Sequence, residues 1–478
     1  MKKFTVLMLF ALLLSFNLTA QQETNTPGFT SVTNLTPLPI VRHTADKPQS
    51  KVWSYAGKHW AVLPDNTGTH IWRLDSITWT NVLTISSSTS TRADCKVVGD
   101  VVHILLFRGT SAAYLLSAEF VPETKTYKLW SQRAEKAELL LDPVAETATL
   151  DIDGKGRMWV AYDAESDVKV QWSDPPYAVW NAPVTVASGI KEDDICTVIA
   201  LPGKIGVFWS NQVTQRFGFK THTDGAAPTS WSADEVPASQ SAFNVGKGMA
   251  DDHLNLVAAK DGTLYCAVKT SFDKQGYPML GLLVRRPSGT WDDMYQVSDT
   301  EGTRPVVILN EVIGKLKVIY TAGSFGGEIL YRVSPTSHIS FSSPLTLIGG
   351  AYNYATSVKA SYSSEVVILA STSSEAVGVL ATDPSPVKDE LLGNIYVYPN
   401  PISSTGIVSF ALPEGGEYRI LLYNSNGDKI KGLEGEGVAV AGELYTTQIN
   451  CAHLASGLYI VRLQTSKGTK HFKLILDK

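Results

Sequence analysis

The chain has 478 residues and a formal net charge of −5. A charge this small, without a basic stripe, argues against a nucleic-acid partner, and we expect none. No Lys/Arg cluster lies on an amphipathic helical pattern, which argues against a membrane-surface role. Residues 21–389 are too many for an ordinary small domain, but they fit one large all-β domain.

The N-terminus has the features of a secretory signal peptide. A positive start, an apolar run and a small-residue end follow one another in Lys2-Lys3, residues 4–16 and Leu18-Thr19-Ala20. The apolar run is too short to span a bilayer as a stable helix. We therefore predict a signal peptide over residues 1–20, cleaved before Gln21, and no transmembrane segment later in the sequence.

One apolar β-rich run recurs through the middle of the chain at intervals of roughly 45 to 60 residues. Its seven copies are residues 60–63, 102–106, 158–161, 205–208, 264–268, 316–320 and 366–369. A second run follows after a short polar turn. In several repeats a third run begins with an aromatic residue, as at Trp79, Trp180, Trp291 and Phe341. With the strand that leads into each repeat, the unit has four strands, and radial repetition of such units is typical of a β-propeller.

The last repeat lacks one strand, and the start of the chain supplies a match. The seventh copy ends near Leu380 and Ala381 after three strands, whereas Phe29 and Leu35 reproduce the aromatic-plus-six pattern of an outer strand. Pairing the two would remove two sheet edges. We therefore predict a seven-bladed β-propeller over residues 21–382, closed by an N-terminal strand. The alternative is a pair of β-sandwiches with coincidental spacing.

Polar residues precede the first strand of most repeats, and a propeller would gather them around one mouth of its channel. They are Arg92, Asp94, Glu146, Asp193, Asp194, Asp251, Asp252, His253, Arg304, Asn353 and Tyr354. His253, with an unperturbed pKa near neutrality, is a candidate general base. Arg304 could neutralise a substrate carboxylate and Tyr354 could donate a proton. These three roles are what β-elimination at a uronic acid requires.

Other interpretations of the same residues stay open. Candidate ligand-binding residues are Arg92, Asp94, Asp194, Asp252, Asn255 and Asn353. Asp194 and Asp252 could instead carry out glycoside hydrolysis if their separation is suitable. Adjacent aspartates with Asn255 could bind a hard cation such as Ca²⁺. Finally, Asp and His side chains at such positions often cap turns and have no other role.

A polar, Pro-containing linker is predicted over residues 383–392, and a small β-sandwich over residues 393–478. This tail contains three motifs in order: Tyr398-Pro399-Asn400-Pro401, then residues 421–427, then Leu454-Ala455-Ser456-Gly457-Leu458-Tyr459. Their order resembles the C-terminal sorting domain of the type IX (Por) secretion system of Bacteroidetes. The resemblance implies passage through the outer membrane by the type IX machinery, and a secreted or cell-surface protein.

The sequence favours a propeller that acts on or binds extracellular polysaccharide, with a uronate lyase preferred over a hydrolase. A non-catalytic glycan- or protein-binding propeller, similar to a lectin or adhesin, is the alternative. Residues 287–291 keep only Gly-Thr-Trp of the Asp-box typical of sialidases, so the sequence does not predict a sialidase. No motif decides whether the protein is an enzyme. We expect a monomer.

Overall fold

A computed structural model describes residues 28–45, 47–107, 112–300, 302–384, 395–430, 435–466 and 468–478. The chain divides into two compact units, up to Pro384 and from Ser385 onward. Within the described residues the structure is all β, apart from one turn of 3₁₀ helix at Ser239–Ser241. None of those residues forms a helix of the length and apolar character that a bilayer crossing demands. The predicted signal peptide and residues 385–392 of the predicted linker lie outside the described residues.

Five antiparallel sheets follow one another along the first unit. The first contains β3 (Val52–Tyr55), β4 (Lys58–Asp65), β5 (Gly68–Asp75) and β6 (Thr78–Ser86). The second contains β7 (Arg92–Val98), β8 (Val101–Phe107), β9 (Ala112–Val121), β10 (Thr126–Leu129) and β11 (Ala137–Leu140). The third contains β12 (Ala148–Ile152), β13 (Met158–Ala164), β14 (Asp167–Ser173) and β15 (Val184–Ser188). The fourth contains β16 (Cys196–Leu201), β17 (Lys204–Asn211) and β18 (Arg216–Thr223), and the fifth β19 (Leu254–Ala258), β20 (Leu264–Lys269), β21 (Leu280–Arg285) and β22 (Tyr295–Ser298).

A sixth sheet has eight strands and includes the start of the described chain. It contains β23 (Thr303–Asn310), β24 (Lys315–Thr321), β25 (Gly327–Pro335), β26 (Leu345–Thr356), β27 (Glu365–Ser371), β28 (Glu375–Thr382), β1 (Ser31–Asn34) and β2 (Leu38–Pro39). The long strand β26 pairs first with β25 and then with β27. β1 pairs antiparallel with β28, with Ser31 opposite Thr382. The N-terminal strand therefore adds to the last hairpin of the unit.

The sheets are arranged in a circuit. The first strands of the six sheets contact one another in order, from β3 through β7, β12, β16 and β19 to β23. Within the sixth sheet β23 contacts β26, and β27 contacts β3 of the first sheet. Hydrophobic cores lie between neighbouring sheets, as where Trp60 of β4 packs with Ile104 of β8. A further core joins the sixth sheet to the first, with Ile368 and Leu63 in one cluster. This packing of sheet faces around a circuit gives a β-propeller-like fold.

The second unit has two sheets around one core. One contains β29 (Ile395–Tyr398), β30 (Thr405–Ala411) and β33 (Leu444–Asn450). The other contains β31 (Gly416–Asn424), β32 (Gly435–Ala439), β34 (Gly457–Thr465) and β35 (Gly468–Leu476). Phe410 of the first sheet and Leu463 of the second are buried in the same cluster. The alternation of buried and exposed residues along β35 fits a sheet with one face toward that core.

Candidate functional site

A cluster of charged side chains lies where the first strands of several sheets begin. We call this region the N-terminal rim; it is formed by the residues that precede β3, β12, β16 and β19. Lys47 Nζ lies 2.7 Å from Glu146 Oε1 and also donates to Asp252 Oδ2. Carboxylate oxygens of Glu146, Asp193 and Asp252 all lie within 4.8 Å of one another. One ammonium group therefore neutralises charges from two different sheets.

The electrostatics of this cluster keep both partners ionised. Burial would raise the pKa of Asp252, but its hydrogen bond to His253 and the nearby positive charges hold that pKa below its ordinary value. Burial likewise works to lower the pKa of Lys47, and the charges of Asp252 and Glu146 outweigh it, so that pKa is raised. Lys47 is thus a built-in counter-ion at the position a bound cation would occupy.

His253 is oriented by two carboxylates. Its Nδ1 lies 2.8 Å from Asp251 Oδ1 and 2.7 Å from Asp252 Oδ1. Asp251 is held in turn by Lys269 Nζ at 3.1 Å and by the Ser271 hydroxyl at 3.3 Å. His253 Nε2 is buried and has no hydrogen-bond partner among the described residues. A ring that donates Nδ1–H to a carboxylate leaves Nε2 as the basic nitrogen.

Arg304 and Tyr354 lie together, in a separate group of contacts. The Arg304 guanidinium carbon is 4.7 Å from the centroid of the Tyr354 ring, and His43 stacks on that ring at 3.8 Å. The backbones of Arg304 and Tyr354 have φ values of +51° and +59°, in the left-handed region that side-chain-bearing residues seldom adopt. Thr44 Oγ1 donates to the Tyr354 carbonyl at 2.6 Å. The N-terminal segment that supplies Lys47 therefore also supports this pair.

Two predicted ligand-binding carboxylates are fully buried and bonded within the protein. Asp94 accepts two backbone N–H groups at 2.8 Å each, from Ser50 and Leu150, and also pairs with Lys359. Asp194 accepts the N–H groups of neighbouring loop residues at 2.9 Å. Both carboxylates therefore join strands and turns to one another, and we do not include them in the candidate site.

The remaining predicted ligand-binding residues also bond to neighbouring strands. Arg92 Nη1 donates to the Glu146 carbonyl at 3.0 Å. Asn255 Oδ1 accepts the Val307 N–H at 3.1 Å, and Asn353 Oδ1 accepts the Thr321 hydroxyl at 3.0 Å. These contacts cross between adjacent strands or sheets and fix the first strands relative to each other.

Two residues that the sequence did not single out shape the N-terminal rim. Lys47 lies in an irregular segment between β2 and β3 that has no periodic pattern, and no sequence signal points to it. Asp163, on β13, accepts the Glu146 N–H at 2.5 Å and the Thr147 N–H at 2.8 Å, which places Glu146 beside Lys47. Burial raises the pKa of Asp163 to about 6, against the opposing effect of these hydrogen bonds.

Residues 396–477 match the family model described as "Secretion system C-terminal sorting domain". The second unit is a sorting domain. Sorting domains of this family direct export by the type IX secretion system. The protein is therefore exported through that machinery and is then attached at the cell surface or released. The resemblance carried by the tail motifs is thereby confirmed, and the sorting domain accounts for the location without describing the activity of the first unit.

Solved structures that align with the chain share little sequence with it. A triple-arginine mutant of AofleA from Arthrobotrys oligospora is 12% identical, with a TM-score of 0.43, over 67% of this chain and 94% of that one. Trypanosoma rangeli sialidase in complex with sialic acid is 10% identical, with a TM-score of 0.40, over 93% of this chain and 88% of that one. No curated protein matches the chain. These similarities are too distant to assign an activity.

Proposed function

We propose that this secreted protein is a seven-bladed β-propeller, closed by β1, that acts on uronate-containing extracellular polysaccharide at its N-terminal rim. Two features support seven blades. The sixth sheet has twice the usual four strands, and β26 changes partner within its length, from β25 to β27. The pairing of β1 with β28 supports the closure.

The orientation of His253 carries the catalytic part of the proposal. Its Nδ1 faces two carboxylates, and its Nε2 has no partner among the described residues. In the proposed step Nε2, which is buried in the free protein, becomes accessible as the polysaccharide binds and takes the proton from the sugar carbon next to the carboxylate. The electron pair of that C–H bond forms a ring double bond, and the bond to the leaving glycosidic oxygen breaks. Tyr354 returns a proton to this oxygen, while Arg304 offsets the charge of the carboxylate.

Asp251 and Asp252 have a positioning role in this scheme. They fix the ring and stabilise the imidazolium that forms when Nε2 accepts a proton. Replacing either with Asn keeps a hydrogen-bond acceptor and removes the charge. We expect both variants to lower turnover, because the ring loses a partner that fixes its orientation and the imidazolium loses a countercharge.

A non-catalytic, lectin-like propeller is the second candidate, and the Tyr354 contacts favour it. The ring of Tyr354 stacks on His43 and contacts the Arg304 guanidinium, so these three side chains hold one another in a fixed aromatic and cationic group. Aromatic and arginine side chains are enriched at protein-binding surfaces. In this alternative the ion pairs of Lys47 with Glu146 and Asp252 only stabilise the rim, and no reaction takes place there.

Incubation of the purified protein with a panel of uronate polysaccharides tests the proposal. A lyase generates an unsaturated product that absorbs in the ultraviolet, and His253→Ala should abolish this absorbance while ligand binding stays nearly intact. His338→Ala is the matched control, because His338 is exposed and lies away from the rim. Binding on a glycan array with no absorbance and no new reducing ends would instead establish the lectin-like function.

A further inference from the structure

The first unit has a polar cavity at the ends of the first strands that lie opposite the N-terminal rim. Its volume is ≈ 490 Å³, and it is lined by the residues that follow β3, β19, β23 and β26 and by the last part of β7. We call it the C-terminal pocket. Its charged lining residues are Lys58, Lys96, Lys260, Lys359, Glu311 and Glu365. Ligand pockets typically have volumes of about 300–1,000 Å³, so it can hold one or more sugar rings.

The lysines of the C-terminal pocket have unequal partners. Lys96 Nζ lies 2.6 Å from Asp151 Oδ1, and Lys359 pairs with buried Asp94, so these two ammonium groups are fixed by anchored carboxylates. An ammonium group has three N–H donors, and the Lys96 side chain remains 28% exposed. Lys260 is exposed and has no ion pair among the described residues. Lys58 is paired as well, with Asp75 at 3.0 Å. Of the four lining lysines, the pocket therefore offers a ligand the remaining N–H donors of fixed Lys96 and the ammonium of exposed Lys260, which lies beside Glu311, whose Oε1 accepts the Lys260 backbone N–H at 2.9 Å.

Side chains that can accept hydrogen bonds from sugar hydroxyls, and one aromatic side chain, complete the lining of the C-terminal pocket. Glu311 and Glu365 place carboxylates at the pocket, and Ser361, Ser363 and Trp53 also line it. Carboxylate and serine oxygens accept hydrogen bonds from sugar hydroxyls, whereas ammonium groups attract a sugar carboxylate. Cations and acceptors within one cavity suit a ligand that carries both a negative charge and several hydroxyls.

We propose that the C-terminal pocket binds a carboxylated sugar unit, with its carboxylate at Lys96 and Lys260 and its hydroxyls at Glu311 and Glu365. This site is distinct from the N-terminal rim and needs none of its residues. Binding here holds the polysaccharide without reaction. The chain would then have a retention site at one mouth of the propeller and the His253 site at the other.

Calorimetric titration of the full mature protein with a uronate trisaccharide tests the pocket, with every variant made in an Arg304→Ala background that removes the carboxylate contact proposed at the rim. The expected result is saturable binding by the wild type and a loss of affinity of about tenfold or more in Lys260→Gln, since one charged hydrogen bond contributes on the order of 1.5–3 kcal/mol. Lys96→Gln should lose affinity by a similar factor. Its melting temperature must also be measured, because this substitution leaves the buried Asp151 carboxylate without its charged partner and can destabilise the fold. Lys128→Gln removes an exposed lysine of β10 that does not line the pocket, and this variant should bind as the wild type does.

Three outcomes would overturn the proposal. They are equal affinity for a neutral trisaccharide of the same length, inorganic phosphate binding as tightly as the uronate, and unchanged affinity in Lys260→Gln. The phosphate result would identify an unspecific anion site. His253→Ala should leave this binding unaltered, so that failure of the lyase proposal and failure of the pocket proposal are separable.

Discussion

Lys317 and Asp383 form an ion pair that is sealed from solvent, with Nζ 2.6 Å from Oδ1 and the two side chains 1% and 0% exposed. The Tyr362 hydroxyl donates to the second carboxylate oxygen at 2.6 Å, and Asn310 Nδ2 donates to it at 2.9 Å. The Lys317 ammonium also lies 4.5 Å from the centroid of the Phe29 ring. The buried Lys317 ammonium therefore contacts both Phe29, near the start of the described propeller unit, and Asp383, near its end.

Asp383→Asn should destabilise the propeller unit by about 3–5 kcal/mol, because it leaves the Lys317 ammonium buried without its counter-ion. Urea unfolding of the purified protein measures the loss. Replacing both residues, as Lys317→Met with Asp383→Leu, should recover much of it, since no charge then remains buried. Asp174→Asn is the control: the Asp174 carboxylate is 57% exposed and pairs with Arg157, so its loss should cost less than about 1 kcal/mol. Equal effects of Asp383→Asn and Asp174→Asn would contradict the expectation.

The stability of the propeller unit should contain a pH-dependent contribution from Asp163. Its folded pKa of about 6 lies above its ordinary value of 3.8, so the folded state binds the proton more tightly. The contribution is fully present below about pH 4 and is lost as the pH rises through 6, with a size of about 3 kcal/mol. The free energy of unfolding of the wild type minus that of Asp163→Asn should therefore fall between pH 4 and pH 7. A constant difference would show that Asp163 titrates normally.

Lys47→Ala should convert the N-terminal rim into a cation site. Removal of the ammonium leaves oxygens of Glu146, Asp193 and Asp252 within 4.8 Å of one another, and Ca²⁺ prefers such carboxylate ligands. Millimolar Ca²⁺ should raise the melting temperature of this variant and leave that of the wild type nearly unchanged, because ligand binding stabilises the folded state. Lys128→Ala, which removes a lysine paired with Glu119 alone, is the control. A Ca²⁺ response of the wild type as large as that of Lys47→Ala would refute the counter-ion role of Lys47.

Deletion of residues 29–36 should destabilise the whole propeller unit. The deletion removes the β1 ladder opposite Val379–Thr382 and takes Phe29 away from Tyr331, whose ring centroid lies 5.1 Å from that of Phe29. It also exposes the edge of β28. Truncation after Glu390 is the control and should leave the melting temperature of the propeller unit nearly unchanged. A deletion variant with the same melting temperature as the wild type would rule out closure by β1.

Processing can be checked on the secreted material itself. We expect a mature N-terminus at Gln21, and loss or surface linkage of the chain after about Glu390. Intact-mass measurement of the extracellular protein, together with its N-terminal peptide, identifies both ends. A cell-associated product that keeps Met1 and the whole sorting domain would be inconsistent with this processing.

The strand pattern was largely readable from the sequence, whereas the site was only partly so. Short continuous apolar runs predicted strands such as β4, β13 and β20, because strands buried on both faces of a sheet carry apolar residues without a break. The merging of two predicted strands into β26 left no such signal, since Gly349 and Gly350 favour a turn over a continuous strand.

Long-range pairing explains what the sequence could not give at the rim. Glu146, Asp193 and Asp252 were expected at one mouth, because each precedes a first strand. Lys47, which neutralises two of them, comes from an irregular segment about 100 residues before Glu146 in the sequence. No local pattern connects an isolated lysine with carboxylates that distant. Whether one of these carboxylates forms an ion pair is therefore decided by tertiary structure and not by the spacing of residues along the sequence.

The double pairing of β26 has a mechanical consequence. Its first part bonds to β25 and its last part to β27, so one uninterrupted stretch of backbone belongs to two four-stranded groups. Opening of either group disturbs the backbone of β26 and with it the hydrogen bonds of the other group. The two groups should therefore unfold as a single cooperative unit. Amide hydrogen exchange should then show one common opening free energy for β24 and β27, while sheets joined only by side-chain packing are free to open separately.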